Sequence, residues 1–278
     1  MLFGAHISSA GGLENAPERA SLIGCEVFQM FSRSPQIWKA PELKDETVEL
    51  FNENMKKFNQ KECYIHTSFL INLASVNNKI RHGSMNIIKE ELERGSRLGA
   101  KYVMTHLGSY KDVDSDLEGP MMVVDALKKI LDKEYFTELL IEISAGAGNI
   151  VGCTFEELAY FMEELKGYKV GICLDTAHMF ASGYDLRNKK AVTKVFDDFD
   201  RIVGTKYLRM SHLNDSKVDI GERKDRHEDI GVGKIGIAGF EAIFSDKRLK
   251  DLSFVLETPG DMEKDLRIIK EMRKKLVK

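Results

Sequence analysis

The chain has 278 residues, of which 43% are apolar and 31% charged, the make-up of a soluble globular protein and not of a disordered or membrane one. No apolar run approaches the roughly 20 residues that span a bilayer, and the opening MLFGAHISSAGG lacks a basic segment followed by an apolar one, so a cytoplasmic location without a membrane partner is the expectation. A formal net charge of −3 argues against a nucleic-acid partner unless bound cations reverse it locally.

In chain order, eight short apolar or β-branched runs read as strands: Leu2–Ser8, Val27–Phe31, Cys63–Ser68, Tyr102–Gly108, Leu139–Ser144, Val170–Thr176, Tyr207–Leu213 and Ser253–Thr258. Between them, helical periodicity covers Asp45–Asn59, Met85–Leu98, Met121–Leu131, Thr154–Leu165 and Asp261–Leu276. Such alternation implies parallel strands joined by crossover helices, and eight units in this length fit a (β/α)8 TIM barrel. An open doubly wound sheet is disfavoured because no G-x-G-x-x-G turn follows the first strand; Gly11-Gly12 is no substitute. No Pro/Gly/Ser-rich linker divides the chain, so residues 1–278 are expected to form one domain. Cys25, Cys63, Cys153 and Cys173 form no C-x-x-C pair and read as reduced packing residues. Met30, Met104 and Met210 read as barrel filling.

Six strands end in a residue type that binds metals. His66, His106 and His212 close YIHTS, VMTHLGS and RMSHLND, while Glu142, Asp175 and Glu257 close LLIEIS, ICLDTAH and FVLETP. Their separations are 40, 36, 33, 37 and 45 residues, close to one strand, helix and return. A barrel turns that period into convergence, because parallel strands bring their carboxyl ends to one mouth. His178 lies three residues past Asp175, and Asp225 and His227 project to one side of the extended KDRHED segment. Singly, each is more often a hydrogen-bonded loop residue or half of an ion pair; nine in register point to a metal site at the C-terminal mouth. Imidazole and carboxylate without thiolate suit zinc or manganese rather than magnesium or iron–sulfur clusters. His6 and His82 read as structural, with His6 supporting ligands and not coordinating.

The runs HTSFLINLAS (66–75), GICLDTAH (171–178) and HLNDSKVDIGERKDRH (212–227) resemble the three signature segments of the endonuclease IV family of abasic-site nucleases. The similarity extends through GAHISSAGGLENA, HLGSY, IEISAGAG and LETPG, nearly the whole chain. The resemblance implies three zinc ions, with manganese an alternative at one or more positions. It assigns His66 and His106 to the first ion and makes Glu142 the bridge to a second, which Asp175, His212 and Glu257 complete. His178, Asp225 and His227 would hold the third. Glu142 and Glu257 would be catalytic by shaping the pair of ions at which water is activated. The implied reaction is cleavage 5′ to an abasic deoxyribose in double-stranded DNA, leaving a 3′-hydroxyl, as in base excision repair, with removal of blocking groups from 3′ ends. No obligate protein partner is implied. Three departures from the family pattern, Phe69, Gln36 and Ala177, bear on DNA gripping and not on the ligands.

For the DNA, the expected phosphate contacts are Arg33, Lys39, Lys79, Arg81, Arg223 and Arg226, with Gln36 supplying a neutral hydrogen bond. Phe69 and Leu70, just past ligand His66, are expected to form a wedge that fills the gap left by an extruded nucleotide. Two rivals differ in their demands. A sugar isomerase on a related barrel needs only Glu142, Asp175, His212 and Glu257 and leaves five ligands idle, and a metal-stabilised module that binds damaged duplex needs no hydrolysis.

Overall fold

The computed structural model describes residues 1–111 and 117–276. Its strands are β1 (Leu2–His6), β2 (Val27–Phe31), β3 (Cys63–His66), β4 (Tyr102–Thr105), β5 (Glu138–Glu142), β6 (Val170–Asp175), β7 (Leu208–His212), β8 (Asp215–Ser216), β9 (His227–Glu228) and β10 (Ser253–Leu256). Eight of them form a closed parallel barrel in the order β1-β10-β7-β6-β5-β4-β3-β2, while β8 and β9 make a separate antiparallel ribbon. The TIM barrel read from the sequence is therefore present. Its strands end one to three residues earlier than expected in most units.

Helices α1 (Ala16–Leu22), α2 (Asp45–Lys57), α3 (Asn78–Leu98), α4 (Glu118–Leu131), α5 (Phe155–Glu164), α6 (Thr176–Ser182), α7 (Lys189–Ile202), α8 (Gly236–Ser245) and α9 (Met262–Leu276) account for the α-helical residues described, beside three single-turn 3-10 helices. The third begins seven residues before the expected Met85. Asn77 caps it, its side chain accepting from the backbone N–H of Lys79 and Ile80, which offsets the weak propensity of Gly83 and Ser84. None of the described helices is long and apolar enough to cross a membrane.

Alternation along each strand sorts the core into two layers. Val27, Tyr64, Tyr102, Met104, Leu140, Cys173, Met210 and Val255 fill the barrel interior, and a larger layer including Phe28, Met30, Phe155, Phe199 and Phe254 packs between strands and helices. Burying each such side chain contributes about 1.5–3 kcal/mol. Met104 and Met210 are thus barrel filling, whereas Met30 packs on the outer side. All four cysteines are free, three of them buried.

One irregularity interrupts the barrel. Ile172 pairs with Leu208 and Cys173 pairs with Met210, so Arg209 is an additional residue in β7. Its guanidinium Nε donates to Glu138 Oε1 at 2.8 Å. Gly171 leaves the room, since a Cβ there would lie 2.7 Å from Arg209 Cγ. The barrel arginine thus pairs with an acid at the start of β5, away from Glu142 and Asp175.

Candidate metal centre

The alternation that fills the barrel also builds its mouth. Tyr64, Met104, Leu140, Cys173, Met210 and Val255 point inward, so the residues two further on, His66, His106, Glu142, Asp175, His212 and Glu257, continue the same inward rows. Three groups of donors result, each with ligand atoms within 4.8 Å of one another: His66, His106 and Glu142; Glu142, Asp175, His212 and Glu257; and Asp175, His178 and His227. Asp225 joins the last group through His178 and His227, so all nine residues expected from the sequence lie in one cluster.

Glu142 joins the first two groups by turning its oxygens apart. Oε2 lies 3.1 Å from His66 Nε2 and 3.6 Å from His106 Nε2, while Oε1 lies 2.9 Å from His212 Nδ1. His212 Nδ1 is also 3.4 Å from Glu257 Oε2 and 3.8 Å from Asp175 Oδ2. In the third group His178 Nε2, His227 Nε2 and Asp225 Oδ1 form a triangle with edges of 3.4, 3.3 and 3.2 Å. Ligands about 2.0 Å from a tetrahedral zinc stand about 3.3 Å apart. The triangle therefore fits one face of such an ion, and a set of imidazoles and carboxylates without thiolate fits the metal.

Local sequence explains how His178 arrives. Asp175 ends β6 and caps α6, its Oδ1 accepting from the His178 backbone N–H at 2.8 Å, so D-T-A-H turns the chain within one helical step. Ring orientation is fixed from behind. His66, His178 and His227 each donate Nδ1–H to a carbonyl, of Thr67 (2.8 Å), Ile143 (3.0 Å) and Glu257 (3.2 Å), and so aim Nε2 at the cluster. His106 Nδ1 is buried, and no hydrogen-bond partner reaches it among the described residues. Two supporting residues were not anticipated. Asn214 donates to Asp175 Oδ2 at 2.7 Å and accepts from the Glu257 backbone at 2.7 Å, and Gln29 reaches Glu257, His6 and His212.

Charges within the cluster are strongly coupled. Burial alone would lower the His178 imidazole, but Asp175, Asp225 and Glu142 raise it well above the usual range. Burial would raise Glu142, yet the surrounding imidazoles, His106 and His212 foremost, hold it well below the carboxylate range. For His106, burial prevails and lowers the imidazole.

Asp225 and His227 ride on a loop that needs its own anchor. Asp215 supplies it. Its buried carboxylate accepts from the backbone N–H of Gly231, Gly233, Ile235 and Gly236 at 2.9–3.2 Å. A Cβ on Gly233 would approach Asp215 Oδ1 to 2.5 Å, so the cradle requires glycine there.

Around the cluster lie clefts of 330 and 510 Å3 that share Phe69, His106, His178 and Asp225. A third of 820 Å3 adjoins the first through His6, Phe31 and Met262. Phe69 is 66% exposed and meets Phe31 edge-on, with ring centroids 5.2 Å apart; Leu70 is half-buried. Gln36, Lys39, Lys79, Arg223 and Arg226 are exposed and Arg81 is half-buried, while Ala177 is buried in α6. Arg33 departs from expectation. Its side chain is 1% exposed and paired to Glu91 and, at 2.8 Å, to Glu90, so its charge is spent within the protein. It holds the 32–38 segment against α3 instead of facing a phosphate.

Comparison with known proteins agrees with this architecture. Residues 17–276 match the model of a family described as xylose isomerase-like TIM barrels. The probable endonuclease 4 of Chlorobium limicola is 40% identical over 92% of this chain and 89% of its own, and that of Halothermothrix orenii is 36% identical over 99% and 100%. The crystal structure of endonuclease IV from Thermus thermophilus superposes with a TM-score of 0.87 at 34% identity, covering 99% of this chain and 100% of the other. A D-tagatose 3-epimerase-like protein shares the fold (TM-score 0.76) at 20% identity over 100% and 98% of the two chains. The fold alone thus leaves an epimerase and a nuclease undivided, whereas identity along the full length does not: the chain belongs to the endonuclease IV family.

Proposed function

We propose that the protein is a metal-dependent deoxyribonuclease that hydrolyses the phosphodiester 5′ to an abasic deoxyribose in duplex DNA, leaving a 3′-hydroxyl, and that also trims blocked 3′ ends. The observation that carries this reading is the shared carboxylate of Glu142, which links His66 and His106 to the His212 group. An isomerase has use for one ion and no use for His66, His106, His178, Asp225 or His227. Nine donors around one mouth suit three zinc ions, with manganese able to replace zinc at one or more positions.

Bound in these donor groups, divalent ions would supply the activation of water and the neutralisation of charge developing on a phosphate. The residues of this chain do the rest. Glu142 and Glu257 fix the donor geometry, and Asp175 anchors α6 so that His178 faces Asp225 and His227. Phe69 would take the gap beside an extruded sugar together with Leu70, a reading supported by its exposed ring lining two clefts, one of which Leu70 also lines. Extrusion is least costly where the base is already missing, so selectivity begins with the lesion. Arg226 and Gln36 are exposed and would make backbone contacts. The family relationship and the absence of a spanning helix among the described residues support a cytoplasmic repair enzyme.

The test is to incubate the zinc-loaded protein with a duplex carrying one abasic site and to separate the products. A single nick with a 3′-hydroxyl is expected. Binding without a nick would favour a recognition module, and ketose epimerisation without a nick would favour the sugar enzymes of the same fold.

A further inference from the structure

Gln29 is fully buried and is the single polar residue of the β2 strand VFQMF. It stands two residues past inward-facing Val27, so it enters the mouth among the metal donors. Its amide makes three contacts. Nε2 lies 2.6 Å from Glu257 Oε1 and 2.8 Å from His6 Nδ1, and Oε1 lies 2.7 Å from His212 Nε2.

Chemistry fixes the direction of each bond. An ionised carboxylate only accepts, so the amide nitrogen faces Glu257 and its second hydrogen goes to His6. The amide oxygen only accepts, so His212 carries a hydrogen on Nε2, which leaves Nδ1 as the nitrogen that a bound metal would take in exchange for its proton. That atom is the one facing Glu142, Glu257 and Asp175. His212 is thus turned the opposite way from His66, His178 and His227, whose Nδ1 atoms are held by backbone carbonyls. A ring aimed through Nδ1 needs a support at its far nitrogen, and Gln29 provides it. The same amide ties down Glu257 Oε1 and leaves Oε2 toward His212.

We propose that Gln29 is a positioning residue that sets the Nδ1-first ligation of His212 and the one-oxygen presentation of Glu257, and so governs retention of the metal held by Glu142, Asp175, His212 and Glu257. This rests on reading that group as a metal site. Glutamate is unsuited to the position because its carboxylate would face that of Glu257 with no hydrogen between them. Methionine would fill the same space and abandon all three contacts.

Two measurements on the full-length, zinc-loaded protein test this. Nitrogen–proton NMR correlation of the His212 ring, assigned through His212→Asn, should show the hydrogen on Nε2; a hydrogen on Nδ1 overturns the proposal without any variant at position 29. Gln29→Met should then fold, bind abasic duplex as the parent does, and release one zinc to a chelator about 10–100-fold faster, the usual effect of losing a residue that orients a ligand. Its turnover should fall with little change in KM. Gln29→Glu, of the same shape, should not restore retention. Parent-like release of every zinc from Gln29→Met overturns the proposal. A parent protein that binds no zinc overturns the metal reading itself and this inference with it.

Discussion

His178 and His227 lie 49 residues apart in the chain, yet their Nε2 atoms approach to 3.4 Å, with Asp225 Oδ1 3.3 and 3.2 Å from them. Burial would lower the His227 imidazole, but the charge of Asp175 and the hydrogen bond to Asp225 raise it to about 9. Ligation requires a neutral ring, so a metal taken up here at pH 7 must displace a proton. Apparent zinc affinity should therefore climb as pH rises toward 9 and fall as pH drops, because proton and metal compete for the same lone pair. Calorimetric titration in buffers of different ionisation enthalpy reads the proton directly. Uptake at pH 7 with no proton release would contradict the arrangement.

Glu142→Gln and Glu257→Gln should each reduce cleavage by about 100-fold or more while preserving the barrel. Both carboxylates are held ionised: burial would raise Glu257, and the charge of His212 foremost draws it well below the usual range. The amide keeps the shape and removes the charge that the bridge requires. Circular dichroism should match the parent, and near-normal turnover in either variant would rule out a shared-carboxylate mechanism.

The exposed ring of Phe69 carries the prediction for lesion recognition. Replacing Phe69 and Leu70 together by Ala should weaken binding to an abasic duplex and spare binding to an intact one, since aromatic stacking contributes about 1–3 kcal/mol per base. Gel-shift titration of both duplexes measures the difference. If the double variant still separates the two as the parent does, with metals retained, recognition comes from backbone shape.

Arg33 and Arg226 should part company. Arg33→Ala takes from buried Glu91 its paired cation and leaves it the Ser32 hydroxyl, and breaking a buried pair of this kind costs about 3–5 kcal/mol of stability. Its effect should appear in thermal unfolding. Arg226→Ala should leave unfolding unchanged and lower the salt dependence of DNA binding by about one phosphate contact. A reversed pattern would put Arg33 back on the DNA.

Much of the site was legible because barrel period and strand alternation are both written in the chain. A histidine or acid every 33 to 45 residues at the end of an apolar run can mean little else once eight strands close. Asp225 and His227 were legible from a loop motif alone. What escaped were amides and long-range pairs. Gln29 and Asn214 are not ligand types, although a lone polar residue in VFQMF is a visible signal that something in the barrel must answer it. The fate of Arg33 was hidden because its partners Glu90 and Glu91 lie 57 and 58 residues away, on the face of α3 turned toward it. Strand ends were read too long because the ladder stops where the strands splay at the mouth, while the apolar pattern runs on into the first loop residues.

The extra residue in β7 acts as a parity switch. Below it, Leu208 faces the helices, and above it Met210 and His212 face the axis. A strand sorts its side chains by odd and even count, so one residue more or less exchanges the two faces. Arg209 has no residue opposite it, so deleting it would leave Leu208 and Met210 as regular neighbours across from Ile172 and Cys173, with His212 still facing the axis. One residue inserted between Met210 and His212 would instead turn His212 out toward the helical layer, and the second donor group would lose its only imidazole. Arg209→Ala gives up the ion pair with Glu138 and leaves the faces as they are. The donor cluster at the mouth thus depends on the number of residues between Met210 and His212 more than on the identity of Arg209.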